Sequence, residues 1–472
     1  MIKNKIVAIN ILLFGLTIIF VLFSFFSKPF IKSFVLRSGE MENAEAFKQQ
    51  FIITFSRPMN KDSVVSNFFI DPAIDGNFSW AQDTLFFTPE STLKYGQVYE
   101  IRISNQALDI YGKQLSREFN REIKTKPYQY IFIGNDNRLI LGSMSGGQTD
   151  LAPDRKVAKY YYSREAKSII YIVKQEYQTD TEIYYIDDLN TPKSQLILDN
   201  YKNVRNLAFS ANGKNLYFQA DVPAEEADGK SGTKKIINQK LFMYSVPEQA
   251  VKEVILPEAL SNFRRYWLAN SDEAFIFNSF DNAYYLKLIN DNSQVLLGDY
   301  GDYGGSNLMV DKFVFTNKRY ADYDSGIIFF DGQAKIINQA EEIGALPSIN
   351  DDGALVSYSY VLKSYLTKAK LANYNVRVVD VETGKTTFTT LGENIGFMES
   401  NFSPDSKYLT VEKDEKQSDI HYVSDNYGDH IYYPIKDEPD YWDDKITTIF
   451  YDLSIGKKTN KIVDGYDLQW IY

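Results

Sequence analysis

The residues best suited to chemistry lie in one stretch near the C-terminus, Lys413–Asp444. It holds ten Asp and Glu against three Lys, with aromatic residues interleaved among them. Acidic groups beside flat rings suit cationic peptides or carbohydrate faces, through charge pairing, cation–π contact and stacking. We therefore predict partner binding by the aromatic residues of this stretch, which are Tyr422, Tyr427, Tyr432, Tyr433, Tyr441 and Trp442.

Two more tyrosines join this predicted binding set. Tyr300 and Tyr303 lie in the short repeat GDYGDYGGS, Gly298–Ser306. Gly and Asp favour turns, so the repeat reads as a loop that can present its rings.

A metal site is the weaker alternative for Lys413–Asp444. The chain's only histidines, His421 and His430, lie there beside Asp425 and Asp429. Imidazole and carboxylate together suit zinc or manganese. The spacing matches no established motif, however, and solvated loop residues explain the same pattern. We therefore expect no metal and no other cofactor.

Catalytic motifs are missing from the sequence. The string closest to a nucleophile elbow, GSMSGG at Gly142–Gly147, has Met where Ser is required. The chain has neither a phosphate-binding Gly-rich loop nor a His-Glu-x-x-His helix. Nothing selects a catalytic pair among its 62 Asp and Glu. We predict a protein that is not an enzyme.

Composition removes further classes of function. A formal net charge of −11 argues against nucleic acid as a partner, because phosphates require a basic face. The absence of cysteine excludes disulfides, thiolate metal sites and cysteine nucleophiles.

A repeated strand–turn–strand unit must position these residues. Val204–Phe218 reads VRNLAFSANGKNLYF, and a near copy, GFMESNFSPDSKYLTV, returns at Gly396–Val411. Units recurring at a period of about 40–60 residues are typical of a β-propeller, with one blade per copy. The two copies resemble the TolB-like and WD-like propeller repeat, which supports a propeller over 127–472.

The predicted blade number is about seven, with six and eight as alternatives. The first blade lacks an innermost strand, and Gly465–Tyr472 is a strand left over at the C-terminus. Pairing Gly465–Tyr472 with Tyr130–Ile133 would close the ring and protect an exposed edge. The count rests on seven outermost strands: Thr149–Ala152, Gln195–Leu198, Val251–Leu256, Gln294–Leu297, Lys335–Asn338, Thr386–Thr390 and Asn460–Val463.

Three long insertions are predicted to gather on one face of the propeller. Asp221–Gln239, Leu362–Asn373 and Lys413–Asp444 all fall between the second and third strands of a blade. The between-blade loop Gly298–Ser306 emerges on the same face. Long loops on one side of a repeat fold mark a working surface, although neutral drift of unconstrained loops gives the same pattern.

Residues 49–126 read as an immunoglobulin-like sandwich, because short strands alternate with turns such as Asp75-Gly76 and Tyr95-Gly96. The runs Phe55–Val64 (FSRPMNKDSV) and Asp83–Ser104 resemble the bacterial Ig-like domains of surface-layer and envelope proteins. The resemblance implies a spacer or adhesive module without catalytic residues.

The N-terminus carries the longest apolar run, Ile6–Phe26. Its 21 residues are enough to cross a bilayer as a helix, and no small-residue cleavage site follows. We predict a transmembrane anchor over 1–27 and a polar stalk over 28–48. The expected location is the cell membrane, single-pass, with the bulk of the chain extracytoplasmic.

The predicted fold class is all-β: an N-terminal transmembrane helix, an Ig-like β-sandwich, then a propeller of about seven four-stranded blades closed by the C-terminal strand. The predicted function is a membrane-anchored extracytoplasmic binding or scaffold protein that engages an envelope protein, peptide or glycan. Two alternatives are an extracytoplasmic propeller hydrolase or lyase using carboxylates or a loop metal, and a self-associating surface-layer or wall component.

Overall fold

The structure is a computed structural model in which the chain forms two compact units, Met1–Pro127 and Tyr128–Tyr472. The described residues are 27–37, 41–44, 46, 49–91, 93–173, 182–199, 201, 204–222, 238–256, 260, 263–268, 274–279, 283–288, 294–317, 326–362, 375–390, 399–414, 420–424, 430–434 and 446–471.

The first unit has two four-stranded sheets, with strand orders β1-β3-β6-β5 and β2-β8-β7-β4. Its elements are β1 (Ile31–Leu36), β2 (Glu42–Ala44), β3 (Phe51–Phe55), α1 (Lys61–Ser66), β4 (Phe68–Asp71), β5 (Gly76–Ala81), β6 (Thr84–Pro89), β7 (Val98–Ile103) and β8 (Phe119–Thr125).

Alternating apolar residues build the core of this unit. In β3, Phe51, Ile53 and Phe55 are fully buried while the residues between them are partly exposed. This period of two gives the sheet one apolar face, which packs on the other sheet as in a β-sandwich. The short helix α1 was not predicted. It begins after Asn60, whose side chain accepts the N–H of Ser63 at 3.0 Å and caps the first turn.

Residues 28–48, predicted to be a stalk, contain two strands of the sandwich. Strand β1 pairs antiparallel with β3, and β2 pairs parallel with β8. Leu36 is buried, and Phe34 packs on Phe119 with ring centroids 5.5 Å apart. Burial of these apolar side chains holds the segment in the fold. Polar residues lie among them in the sequence, which is why the segment was predicted to be a stalk.

The predicted fold class is corrected at its N-terminal end. It included a transmembrane helix over Ile6–Phe26, a run that lies outside the described residues. Among the residues that the structure does describe, no helix has the length and apolar character needed to cross a membrane. The observed architecture is an Ig-like sandwich followed by a propeller.

In the described part of the second unit, five four-stranded antiparallel sheets and one seven-stranded sheet make up seven consecutive blades, because one long strand is shared by the first and the last blade. A separate two-stranded hairpin, β34–β35, lies within the insertion of the last blade. The strands are β9 (Gln129–Gly134), β10 (Leu139–Ser143), β11 (Gln148–Asp150), β12 (Val157–Ser163), β13 (Ser168–Val173), β14 (Ile183–Ile186), β15 (Ser194–Leu198), β16 (Arg205–Phe209), β17 (Asn215–Val222), β18 (Asn238–Ser245), β19 (Ala250–Glu253), β20 (Phe263–Leu268), β21 (Ala274–Ser279), β22 (Ala283–Leu288), β23 (Gln294–Asp299), β24 (Tyr303–Ser306), β25 (Phe313–Thr316), β26 (Ile327–Phe330), β27 (Ala334–Ile336), β28 (Glu342–Ile349), β29 (Leu355–Leu362), β30 (Asn375–Asp380), β31 (Thr386–Thr389), β32 (Ser400–Phe402), β33 (Tyr408–Asp414), β34 (Ile420–Ser424), β35 (His430–Pro434), β36 (Ile446–Asp452) and β37 (Lys457–Ile471).

The long strand β37 closes the ring. Its first half pairs with β36 as the outer strand of blade 7, and its second half pairs with β9 as the inner strand of blade 1. The register places Gly465 opposite Gly134 and Ile471 opposite Gln129. The predicted pairing of the C-terminal strand with Tyr130–Ile133 is therefore confirmed. Blades 1 and 7 consequently form one continuous seven-stranded sheet.

Apolar clusters join the other neighbouring blades. Blades 1 and 2 share a cluster that includes Ile133 and Tyr171, and blades 4 and 5 share one that includes Ile276 and Phe315. Corresponding clusters lie at the remaining four junctions. Since each blade buries its two faces against its neighbours, the ring is one continuous core.

The repeated turns have the geometry that their residues predict. Gly213 has a φ of +69°, and Asn212 Oδ1 accepts the backbone N–H of Lys214 at 2.9 Å. A Cβ at Gly213 would lie 2.3 Å from Ala166 Cβ. The turn therefore requires glycine both for its positive φ and for lack of space. In blade 7, Asp405 Oδ1 accepts the N–H of Lys407 in the same way.

A substitution in β37 tests the closure. Trp470 is 4% exposed and packs edge-on against Tyr130 and Phe450, whereas Ile462 on the outer half of the same strand is 48% exposed. We expect Trp470→Ala to lower the free energy of unfolding by about 3–5 kcal/mol, because it leaves a large cavity at the junction. Ile462→Ala, the matched control, should change it by less than about 1 kcal/mol. Urea unfolding followed by circular dichroism measures both free energies. Equal losses of stability in the two variants would contradict the conclusion that the second half of β37 closes the ring.

Candidate functional site

The propeller has one face where its insertions leave, which we call the upper face. In a four-stranded meander the second-to-third connection and the connection to the next blade lie at the same end. Paired residues mark two insertions: Val222 lies opposite Asn238, and Asp414 lies opposite Ile446. The third lies between Leu362 and Asn375, at the same position in blade 6. The insertions themselves, 223–237, 363–374 and most of 415–445, lie outside the described residues.

Tyr300 and Tyr303 lie where β23 leads into β24 on this face. Tyr300 is 9% exposed, stacks on Phe315 at 4.6 Å, and its hydroxyl donates to the carbonyl of Leu297 at 3.1 Å. Tyr303 is half-buried, with its ring 5.0 Å from that of Trp267. Burial raises the pKa of both hydroxyls. Both rings thus contribute to packing beneath the upper face, and their part in binding stays a prediction.

The other predicted binding residues belong to the insertion of blade 7. Tyr422 and Tyr432 lie opposite each other in the β34–β35 hairpin, and His421 lies opposite Tyr433. His430 lies opposite Ser424. The remaining candidates, Tyr427, Tyr441, Trp442, Asp425 and Asp429, lie outside the described residues. These assignments stay predictions.

A cluster of titratable residues that was not predicted lies at the upper ends of the inner strands and of the adjacent strand β33. Lys159 and Tyr161 lie on β12, Asp467 on β37, Glu399 beside the start of β32, and Glu412 near the end of β33. The Lys159 ammonium stands 5.6 Å from the centre of the Tyr161 ring. Lys159 and Glu399 are exposed, so the cluster is open to solvent at the mouth of the ring.

Asp467 and Glu412 tie the closing strand to blade 7. Asp467 adopts a positive φ of +53° at an irregularity in the pairing of β37 with β9. Its backbone N–H, released there from the sheet, donates to Glu412 Oε1 at 2.5 Å. Its carbonyl lies 2.6 Å from the hydroxyl of the buried Tyr160 on β12. The bulge is therefore supported by hydrogen bonds from the blades on both sides.

The electrostatics of the cluster follow from burial and from three neighbouring carboxyl groups. Burial, together with Glu399 and Asp467, raises the pKa of Glu412 to about 8. Burial also raises the pKa of Asp467 to about 6, although Lys159 opposes the rise. Tyr161, and then the carboxylates of Asp467 and Glu399, raise the pKa of Lys159. The Glu412 carboxyl is thus largely protonated at neutral pH, while Lys159 stays an ammonium.

The lower end of the ring axis is crossed by an ion pair. Arg164, in the turn after β12 of blade 2, pairs with Asp351, in the turn after β28 of blade 6. These blades stand nearly opposite each other, with two blades between them one way and three the other. The side chains are only 12% and 22% exposed. Side chains of two distant blades are therefore joined at the lower face of the ring.

The described part of the chain contains no cluster of side chains suited to binding a metal ion. No three His, Asp or Glu side chains there are grouped closely enough to hold an ion. The carboxyl cluster has two carboxyl groups besides Glu412, those of Asp467 and Glu399, and one ammonium group, that of Lys159.

Comparison with known proteins supports the division of the fold. Residues 27–126 match the family model of the bacterial Ig-like domain. The matched range therefore includes residues 28–48, which were predicted to be a stalk. No curated protein matches the sequence.

Solved structures resemble the chain at the level of fold. TolB from Acinetobacter baumannii is 12% identical, with a TM-score of 0.39, over 86% of this chain and 82% of that one. A prolyl endopeptidase is 11% identical, with a TM-score of 0.47, over 80% of this chain and 49% of that one. An oligogalacturonate lyase solved in complex with manganese is 10% identical, with a TM-score of 0.44, over 72% of this chain and 85% of that one. The matched proteins include enzymes as well as TolB.

The half-buried carboxyl groups of Glu412 and Asp467 make stability depend on pH. The native pKa of Glu412, about 8, exceeds its ordinary value of 4.5, so the native state holds the proton more tightly than the unfolded chain. This stabilisation is complete below about pH 4.5 and is lost as the pH rises through about 8. Glu412→Gln keeps the acceptor oxygen but has no charge to bury.

We expect the wild type to lose on the order of 3 kcal/mol more than Glu412→Gln between about pH 5 and pH 8, since each pKa unit corresponds to ~1.4 kcal/mol. Urea unfolding at the two pH values measures the difference. Glu382→Gln, at an exposed lower turn, is the control and should retain the wild-type slope. If the free energy of unfolding of Glu412→Gln changed with pH as much as that of the wild type, Glu412 would not be the group responsible.

Proposed function

We propose that this chain is an extracytoplasmic binding protein of the cell envelope, whose propeller engages a protein partner through a cationic segment. The observation that carries the proposal is that three long insertions, one of them strongly acidic, leave the propeller on the same face. Loops on one face of a rigid repeat scaffold are well placed for recognition. The Ig-like domain at 27–126 supports an envelope location, because such modules act there as spacers.

The partner's chemistry follows from charge. Residues 128–472 carry 50 Asp and Glu against 36 Lys and Arg, and ten of the acidic residues lie in the insertion Lys413–Asp444. Long-range attraction toward such a face speeds the encounter with a cationic partner. The tyrosines of the insertion add cation–π contacts with Lys and Arg side chains. A neutral glycan would use the same rings by stacking alone, without dependence on salt.

We propose binding without catalysis at this site. Glu412 accepts a backbone N–H of the closing strand, and Tyr160 is hydrogen-bonded to backbone carbonyls. These groups therefore hold the ring together, whereas Glu399 and Lys159 are the exposed members of the described cluster.

Replacing the insertion of blade 7 tests the proposed face. Because Asp414 and Ile446 lie opposite each other in the β-ladder, an Asn-Gly turn can replace 415–445 directly. Val222 and Asn238 allow the same exchange for 223–237, which gives a matched control on the same face. We expect the amount of envelope protein captured by cross-linking to fall at least tenfold with the first variant and to stay at the wild-type level with the second. Capture unchanged by loss of 415–445 would refute this use of the insertion.

A charge reversal at the mouth tests the kind of partner. Glu399→Lys should weaken binding of an oligolysine peptide by roughly five- to tenfold at low salt, and by less at high salt, because screening removes the long-range attraction. Glu382→Lys makes the same change of charge on the lower face and should have little effect. Isothermal titration calorimetry measures both. Equal effects of the two reversals would mean that only net charge matters and would count against a site at the mouth.

A further inference from the structure

The Ig-like domain carries a positively charged groove, whereas the propeller is acidic. The groove has a volume of about 230 Å³ and lies between β1 and the chain around the start of β8. Lys32, Arg117 and Arg121 line it, with Glu118 as its one carboxylate. In a chain of net charge −11, three cations converging on one groove form a local basic site.

These three cations have no ion-pair partner among the described residues. Elsewhere, Arg57 pairs with Asp109 at 3.6 Å and Arg377 with Glu342 at 2.6 Å. In the groove, by contrast, only Arg121 has a polar contact, and that is to the carbonyl of Asn120 at 2.9 Å. All three side chains are exposed. Their charges are therefore available to an anion from outside the domain.

The floor of the groove is aromatic. The rings of Phe34 and Phe119 are half-buried and 5.5 Å apart, and the Arg121 guanidinium carbon lies 5.4 Å from the centre of the Phe119 ring. The two rings are tilted by 52°, so each presents its own aromatic surface, and that of Phe119 lies beside a charge-assisted hydrogen-bond donor. Acidic sugars have this combination of features, with an apolar CH face and a carboxylate at the ring's edge.

We propose that this groove binds an acidic polysaccharide. The carboxylates pair with Arg117, Arg121 and Lys32, and a sugar ring lies against Phe34 and Phe119. Arginine suits the role because its planar fork matches a carboxylate with two parallel hydrogen bonds. Residues 27–126 carry 13 Lys and Arg against 12 Asp and Glu, so the domain does not repel a polyanion as the propeller does. The proposal concerns this domain alone and does not depend on the function proposed for the propeller.

Alginate oligosaccharides, which are chains of uronic acids, are the probe for the test, with the full chain as the protein. We expect Arg117→Ala/Arg121→Ala to weaken alginate binding at least ~tenfold, since two charge-assisted contacts are lost. Lys61→Ala/Lys94→Ala removes two exposed charges from the same domain outside the groove, and should stay within about twofold of the wild type. Thermal unfolding confirms that all variants are folded, as expected for exposed positions.

Two further ligands decide between a sugar site and simple charge attraction. Neutral dextran should not bind, and polyphosphate should bind more weakly than alginate because it lacks a ring to stack. Phe119→Leu keeps an apolar side chain without the flat ring, and should weaken binding of alginate but not of polyphosphate. The proposal is overturned if the Arg117/Arg121 variant binds alginate as well as the control variant does. It is equally overturned if polyphosphate matches alginate in the wild type and in the Phe119→Leu variant.

Discussion

The propeller depends on one strand serving two blades. Strand β37 hydrogen-bonds to β36 with its first half and to β9 with its second half. Without the second half, β9 would be an unpaired inner edge beside blade 7, and the ring would have a seam. Blades 2 to 6 each take their four strands from one continuous stretch of the chain, whereas blade 1 takes its inner strand from the opposite end of the propeller sequence. The two chain ends of the propeller are thereby fixed to each other.

Aromatic rings complete that junction. Trp470 stacks on Tyr408 of blade 7 and meets Tyr130 and Phe450 edge-on. Tyr128 packs on the same tryptophan, and its hydroxyl donates to Asp405 Oδ2 at 2.6 Å. Tyr128, at the start of the propeller, and Trp470, near its C-terminal end, therefore meet in one aromatic cluster. A ring closed in this way can carry large insertions, because a loop that leaves and returns at paired residues does not disturb the ladder beneath it.

The sequence predicts what is local or repeated. The turn at Asn212-Gly213 is encoded by residues that tolerate a positive φ, and the closing strand follows from a missing partner at one end and a spare strand at the other. The carboxyl cluster is of another kind. Lys159, Glu412 and Asp467 are unremarkable in their own surroundings and acquire their chemistry only where distant blades meet. Strands β1 and β2 escaped detection for a related reason, since polar residues separate their few buried side chains.

The cluster also explains how carboxyl groups can accumulate at a closed junction. Three ionised carboxylates around one lysine would repel one another and open the bulge at Asp467. Protonation of Glu412 near neutral pH removes one of these charges while its oxygen still accepts the N–H of Asp467. The exposed Glu399 keeps its place at the mouth, where solvent screens it. The half-buried Glu412 therefore serves closure, and the exposed Glu399 adds negative charge to the upper face, so that a single group of residues joins the stability of the ring to the charge of that face.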